Sequence, residues 1–377
     1  MKIKRFFMED WLIDTQNVKY NLGESGCQDF TLEEFLNICD TDIEEFHHIF
    51  LGNNDTRGSL GLRKEICNSY QNVDMEHLMV ANGTSEALFA FFNILLNKGD
   101  EVVCHFPAFQ CLYQVPISIG CDMKFLDLSE CENGRPDMEK LEHAVTPRTK
   151  LIIINTPHNP FGWTLSDEEM LRIADIAKTN DAFLLFDEHY RYLPLREGTD
   201  ILPSGYDICK PHHDKTYATG SMIKCFGIVG IRIGWLIGGP EILAECRDYK
   251  DYLTHTIPGI TDYVAYLSLK HREKLIRNKK QDILPNLRAL NEFMDQNKDI
   301  FEYAPPTGGV VCFPKLKNSM SSENFCKNLL KEYQVSLLPG FAFEMEGYVR
   351  MNFGVNAEKF SQALELMQEY VSNLRLS

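Results

Sequence analysis

The 377-residue sequence has no apolar run near the ~20 residues that a bilayer-spanning helix requires, so a helical membrane protein is not expected. It also lacks a basic surplus. Lysine and arginine total 38 against 54 aspartates and glutamates, giving a net charge of −16. That balance disfavours nucleic acid as a partner, because binding to phosphate backbones relies on Lys and Arg releasing counterions. One local cationic pocket for a single phosphate is compatible with any net charge. The 12 cysteines include no CxxC pair and no Cys/His cluster at zinc spacing. Several lie in apolar runs, as Cys104 does in Glu101-Val-Val-Cys-His, and they read as reduced core thiols of a cytoplasmic protein rather than disulfides or metal ligands. The opening Met1-Lys-Ile-Lys-Arg-Phe-Phe-Met-Glu-Asp-Trp meets acids before any long apolar stretch, so no signal peptide is expected. Internal repeats and low-complexity linkers are missing as well.

With 44 % apolar and 24 % charged residues, the composition is that of a folded globular chain, long enough for a large domain and a smaller one. Between about residues 78 and 240, apolar β-rich runs alternate with amphipathic helical stretches. This predicts an α/β fold with a mostly parallel sheet flanked by helices. The expected strands are Glu101–His105, Met123–Leu128, Lys150–Asn155, Phe183–Asp187, Thr216–Thr219 and Ile233–Ile237. One helix should start at Ser166, where Ser166 and Glu169 form a capping box, and another near Thr84, with Ala87, Leu88, Phe91, Phe92 and Leu95 on its apolar face. Beyond about residue 240 come long helices through Glu241–Leu253 and on to Asn291, short strands near Gly309–Phe313 and Tyr348–Phe353, and a last helix Glu358–Leu374. The expected division is a large domain over residues 46–265 and a small α+β domain over 266–377, joined by the N-terminal segment 1–45.

Five stretches stand out chemically. In Ser221-Met-Ile-Lys224-Cys-Phe-Gly-Ile-Val-Gly-Ile-Arg232-Ile-Gly a lysine is set among apolar residues and glycines. An isolated lysine is ordinarily a surface residue, but burial here would lower its pKa and free a nucleophilic amine. Arg232 could offer a fixed guanidinium to a phosphate, and Ser221 a hydroxyl. Asn155-Thr-Pro-His-Asn159-Pro160-Phe-Gly162 and Phe186-Asp187-Glu188-His189-Tyr190 both leave strand ends, where open α/β sheets bind ligands. Asp187 emerges from an apolar run, which is costly without a cationic partner. Ala81-Asn-Gly83-Thr84-Ser85-Glu86 joins a strand to a helix and reads either as a plain cap or as an anion site built from free backbone N–H groups. Finally, Gly347-Tyr-Val-Arg350-Met-Asn-Phe-Gly carries an arginine inside an apolar strand, whose guanidinium fork suits a carboxylate.

The lysine stretch resembles the signature of the class I/II aminotransferases of fold type I, Ser/Gly-x-small-Lys-x-x-Gly-apolar-x-Gly-x-Arg-apolar-Gly. Ile223 stands where the family has a small residue. The other stretches follow in the family's order over nearly the whole chain. The resemblance implies pyridoxal 5'-phosphate as cofactor, held by Lys224 as a Schiff base, with Lys224 also moving the substrate's α-proton. It assigns Asp187 to the pyridine nitrogen, Asn159 and Tyr190 to the phenolic oxygen, and Gly83, Thr84, Ser85, Ser221 and Arg232 to the phosphate. Phe109 matches the aromatic that stacks on the ring. Arg350, with Gly23 closing over it, matches the holder of the substrate α-carboxylate. His189 has no matching role and reads as a structural histidine.

The reaction implied is transfer of an amino group from an α-amino acid to a 2-oxo acid by a homodimer in amino acid metabolism. A finer resemblance leaves an alternative open. Met8-Glu9-Asp10-Trp11-Leu12, Ser25-Gly26 before Asp29-Phe30-Thr31, Arg247-Asp-Tyr-Lys-Asp-Tyr-Leu-Thr254 and Gly308-Gly309-Val310 are similar to the capreomycidine synthase branch. That branch eliminates water from a hydroxylated arginine and cyclises it, and oxidation is a further variant. The acidic Glu9, Asp10 and Glu24 could meet a cationic substrate or form a solvated face. A non-enzymatic effector domain of a transcription regulator is the remote alternative; such chains carry a basic winged-helix domain ahead of the fold, which the acidic N-terminal stretch here does not resemble. Many members place a tyrosine before the Gly-x-x-x-Leu-Arg turn to reach the partner's phosphate. Here Asn53, Asn54 and Asp55 precede Gly58-Ser-Leu-Gly-Leu62-Arg63, and no tyrosine is among them.

Overall fold

Each of the six runs expected to be strands becomes one, and residues such as Leu151–Ile154 are buried on both faces of the sheet. The computed structural model describes residues 2–195, 198–317 and 320–376. The central sheet is built from β1 (Leu78–Ala81), β2 (Glu101–Phe106), β3 (Asp122–Asp127), β4 (Thr149–Asn155), β5 (Phe183–Asp187), β6 (Thr216–Gly220) and β7 (Gly234–Ile237). Their order is β1-β7-β6-β5-β4-β2-β3. Strands β2 to β6 run parallel, whereas β7 is antiparallel to both neighbours. The register sets Asn155 beside Asp187 and Asp187 beside Thr219, so three polar side chains share the C-terminal edge of β4, β5 and β6.

Helices cover the sheet. The Thr84–Leu95 helix follows β1 directly and buries Ala87, Leu88, Phe91, Phe92 and Leu95, while Asp167–Thr179 starts at the Ser166/Glu169 capping box. The helix expected to reach Leu253 stops at Lys250. Lys250 is fully buried and donates to the carbonyls of Thr56 and Val80, and the chain then turns so that Thr254 meets Asn82 and Glu86.

A second layer contains the 25-residue helix Arg272–Gln296, the helices Ser322–Tyr333 and Ala357–Leu374, and an antiparallel sheet of Val311–Cys312, Val349–Asn352 and Leu338–Pro339. The N-terminal segment packs with this layer. Tyr20–Asn21 pairs in parallel with Val335–Ser336, and Met8 and Leu12 share a core with Phe313, Leu338 and Phe343. Residues 22–30 then run as a strap between the two layers: Leu22 N–H donates to Ser336 (2.9 Å), Cys27 N–H to Lys224 (2.8 Å), Gln28 N–H to Gly354 (2.8 Å) and Phe30 N–H to Gly227 (2.9 Å). Among the described residues all 12 cysteines are unpaired, no His/Cys/Asp/Glu cluster could hold a metal ion, and no helix is long and apolar enough to cross a membrane.

Candidate active site

The strap, the C-terminal edge of the sheet and the start of the Thr84–Leu95 helix enclose a cavity of about 810 Å³. Of the residues singled out in the sequence, Thr84, Ser85, Phe109, Asn159, Asp187, Tyr190, Lys224 and Arg232 line it. Lys224 lies in a single helical turn, Ile223–Phe226, that follows β6 and ends at Gly227 in the left-handed conformation (φ 67°). Its Nζ donates to Ser25 Oγ at 3.0 Å. Burial lowers its pKa, Glu24 pulls it back up, and Arg350 and Arg232 lower it further.

Asp187 is 4 % exposed and forms no ion pair among the described residues. Thr219 Oγ1 donates to it at 3.0 Å and Asn155 Nδ2 at 3.3 Å. Burial pushes its carboxyl up to about 6, against the opposing Thr219 hydrogen bond. Asn155 reaches further: its Oδ1 accepts from Asn159 N–H (2.7 Å), and its own N–H donates to Nε2 of the buried His105 (2.7 Å).

At the other end of the cavity the Thr84–Leu95 helix presents its N-terminus. Gly83 caps it at φ 91°, and a Cβ there would come within 2.9 Å of the Arg232 guanidinium. Gly83 itself is off the wall, lying behind Arg232. Arg232 forms no ion pair among the described residues; its only partner is the Val229 carbonyl at 3.4 Å.

Three more expected residues also stand off the wall. Ser221 Oγ turns away and donates to the Ile233 carbonyl at 2.7 Å. Arg350 is fully buried behind Asn159, donating to Asn159 Oδ1 (3.1 Å) and to the Gly23 carbonyl (2.8 Å), while its Nε has no partner. Gly23 serves only through that carbonyl. The glycine on the wall is Gly26, where a Cβ would meet Lys224 Cδ at 3.5 Å.

Tyr190 is buried, and its hydroxyl donates to the Ser25 carbonyl at 2.7 Å. His189, read from sequence as structural, lies on the wall with Nδ1 3.3 Å from Thr84 Oγ1. Burial first, then Lys224 and Arg232, push its pKa down to about 3, so it is neutral. The sequence reading also passed over Ser25 and Asn155 as site residues. Asn155 carried a signal, being the last residue of an apolar strand four positions before Asn159; Ser25 stood out only as part of the Ser25-Gly26 pair of the finer resemblance, with no role attached.

The profile of aminotransferase class I and II matches residues 21–366. The chain belongs to that family. A PLP-dependent aminotransferase from Streptococcus suis superposes with a TM-score of 0.91 at 30 % identity, covering 99 % of both chains. The PLP-dependent cyclase OrfR gives 0.90 at 25 %, covering 99 % of this chain and 98 % of the other. Capreomycidine synthase of Streptomyces vinaceus is 25 % identical over 368 residues, 96 % of this chain and 92 % of its own. Membership in the family makes this aminotransferase a pyridoxal 5'-phosphate enzyme.

Proposed function

We propose that this aminotransferase moves the amino group of an α-amino acid to a 2-oxo acid, with the residues of the cavity divided as the family resemblance implies. The observation that carries the reading is a set of charges without partners around one cavity. Among the described residues Asp187 is a buried carboxylate without a cation, Arg232 a guanidinium without an anion, and Arg350 a buried guanidinium with an orphan Nε. Such charges are costly unless a ligand completes them. A pyridinium nitrogen, a phosphate and a substrate carboxylate are the matching groups, so the site fits the cofactor.

When bound, pyridoxal 5'-phosphate supplies an aldehyde carbon that exchanges amino groups and a ring that withdraws electrons from the substrate α-carbon. Lys224 would hold the aldehyde carbon through Nζ and, once released as a free amine, take the α-proton and return it. Its lowered pKa keeps a larger fraction neutral for both tasks. Asp187 would hold the pyridine nitrogen protonated, and ion pairing would bring its carboxyl back down from about 6. Thr84 and Ser85 offer the N–H groups of a helix start to the phosphate, joined by Arg232, while Gly83, whose own N–H is bonded to the Ala81 carbonyl at 2.9 Å, lets the guanidinium come close. Phe109 would cover the ring, Asn159 and Tyr190 would bind the phenolic oxygen, and Arg350 the α-carboxylate, with Gly23 and Asn159 giving up their present bonds to it. Ser221 would act through the backbone it anchors.

A second reading, loss of water from a hydroxylated cationic amino acid followed by cyclisation, draws on one observation: Glu9 and Glu24 line the cavity without an ion pair among the described residues. We further propose a cytoplasmic homodimer with the large domain over residues 46–265 and the small one over 266–377 plus 1–45. Support for the dimer comes from the exposed apolar side chains of Phe50, Leu51, Leu60, Tyr252 and Ile260, with Leu51 81 % and Tyr252 91 % exposed.

The test is direct. Purified protein given pyridoxal 5'-phosphate should develop the absorbance band of a lysine-linked cofactor, absent in Lys224→Ala. A panel of amino acids that includes arginine and hydroxyarginines, run with and without 2-oxoglutarate, separates the two reactions. Turnover that ignores the oxo acid and yields a dehydrated or cyclic product would overturn transamination.

A further inference from the structure

We propose that Ser25 is a positioning residue that holds the free amine of Lys224 for proton transfer. The inference rests on the reading that Lys224 carries the cofactor. Ser25 is 6 % exposed and touches two of the side chains assigned to that chemistry. Its Oγ accepts from Lys224 Nζ at 3.0 Å, and its carbonyl accepts from the Tyr190 hydroxyl at 2.7 Å.

The hydroxyl is held in place from both sides. Three residues before it, Leu22 N–H donates to the Ser336 carbonyl at 2.9 Å; one residue after it, the Gly26 carbonyl takes Asn352 Nδ2 at 2.8 Å. Cys27 N–H then bonds the carbonyl of Lys224 itself at 2.8 Å. The strap therefore cannot slide relative to the lysine without breaking several bonds at once.

A lysine amine sits on a flexible four-carbon stem and has three directions in which to donate. A fixed acceptor at 3.0 Å removes most of that freedom. With one N–H committed to Ser25, the lone pair of the neutral amine is confined to the remaining directions. When the amine takes the substrate's α-proton and becomes an ammonium, the same oxygen receives a stronger, charge-assisted bond. When the ammonium gives the proton back, that bond weakens again, so no proton is left on the serine.

An acceptor that favours the ammonium must raise the amine's pKa, and its removal must lower it. The measurement is the rate at which full-length protein, stripped of cofactor, forms the lysine-linked absorbance band on addition of pyridoxal 5'-phosphate, followed from pH 6 to 10. Only the neutral amine reacts, so the midpoint of the profile reports Lys224. In S25A the midpoint should fall by about one pH unit, making band formation about tenfold faster at pH 7 while turnover drops. General damage to the fold would slow both. S25C, which keeps the side-chain shape but offers a far weaker acceptor, should follow S25A. A wild-type midpoint in either variant overturns the role of Ser25 alone, whereas a wild-type protein that never forms the band overturns the reading beneath it.

Discussion

A carboxyl group held at about 6 by burial is a liability to a protein without its cofactor, and Asp187 is that group. Its folded pKa lies above the ordinary 3.8, so the stability it lends is complete below 3.8 and is lost as pH rises through about 6. Above that point the cofactor-free chain bears a cost on the order of 3 kcal/mol. Asp187→Asn should therefore melt higher than the wild type at pH 8 without cofactor, and the gap should narrow toward pH 4. With pyridoxal 5'-phosphate the order should reverse, because only the carboxylate can pair with the ring nitrogen. Equal melting at pH 8 would mean that Thr219 and Asn155 already offset the charge. Arg350 makes a second test. Arg350→Ala should lower kcat/KM for α-amino acids about 100-fold, and Arg350→Lys should restore little of it, since a point charge cannot replace a two-pronged fork. Saturation behaviour unchanged from wild type would remove Arg350 from the site. Lys224, Asp187 and Arg350 were legible in the sequence because each puts a charge where its neighbours demand an apolar residue. Ser25 and His189 were not, because their meaning comes from partners 199 and 105 residues away in the chain.

Among the elements, the start of the Thr84–Leu95 helix carries the clearest functional prediction. Its free N–H groups and Arg232 are proposed to face the same phosphate, and Gly83 keeps the two close. Arg232→Ala should weaken pyridoxal 5'-phosphate binding by about tenfold to a hundredfold, as loss of a charge-assisted pair implies, yet leave the affinity for unphosphorylated pyridoxal nearly unchanged. Gly83→Ala should do the same, because it strains a backbone at φ 91° and pushes on the guanidinium. Equal losses for both ligands would argue against a phosphate subsite. Most strands of the central sheet could be read in advance because four or five consecutive buried residues, as in Glu101–His105 and Leu151–Asn155, favour an interior strand; Asp122–Asp127, where only Leu126 is buried, lies outside that rule. The two-residue pairing of Tyr20–Asn21 with Val335–Ser336 could not, as two residues have no periodicity. The helix end at Lys250 was hidden for a related reason, since the lysine's partners, the carbonyls of Thr56 and Val80, lie 194 and 170 residues away in the chain.

At the scale of the molecule, the exposed apolar side chains that include Leu51 and Ile260 set the last prediction. Replacing Leu51 and Ile260 with aspartate should convert dimer to monomer in sedimentation while the lysine-linked band still forms. A wild-type protein that sediments as a monomer at micromolar concentration would refute the dimer. The strap also has a consequence for how the protein is made. It brings Ser25 and Gly23 against Lys224 and Arg350, which are added 199 and 327 residues later in the chain. At the ~5–20 residues per second of translation, the strap waits for tens of seconds before its partners exist. The central sheet can form during that interval, but the site cannot close until Arg350 has been added, so capture of the cofactor marks a chain made at least that far.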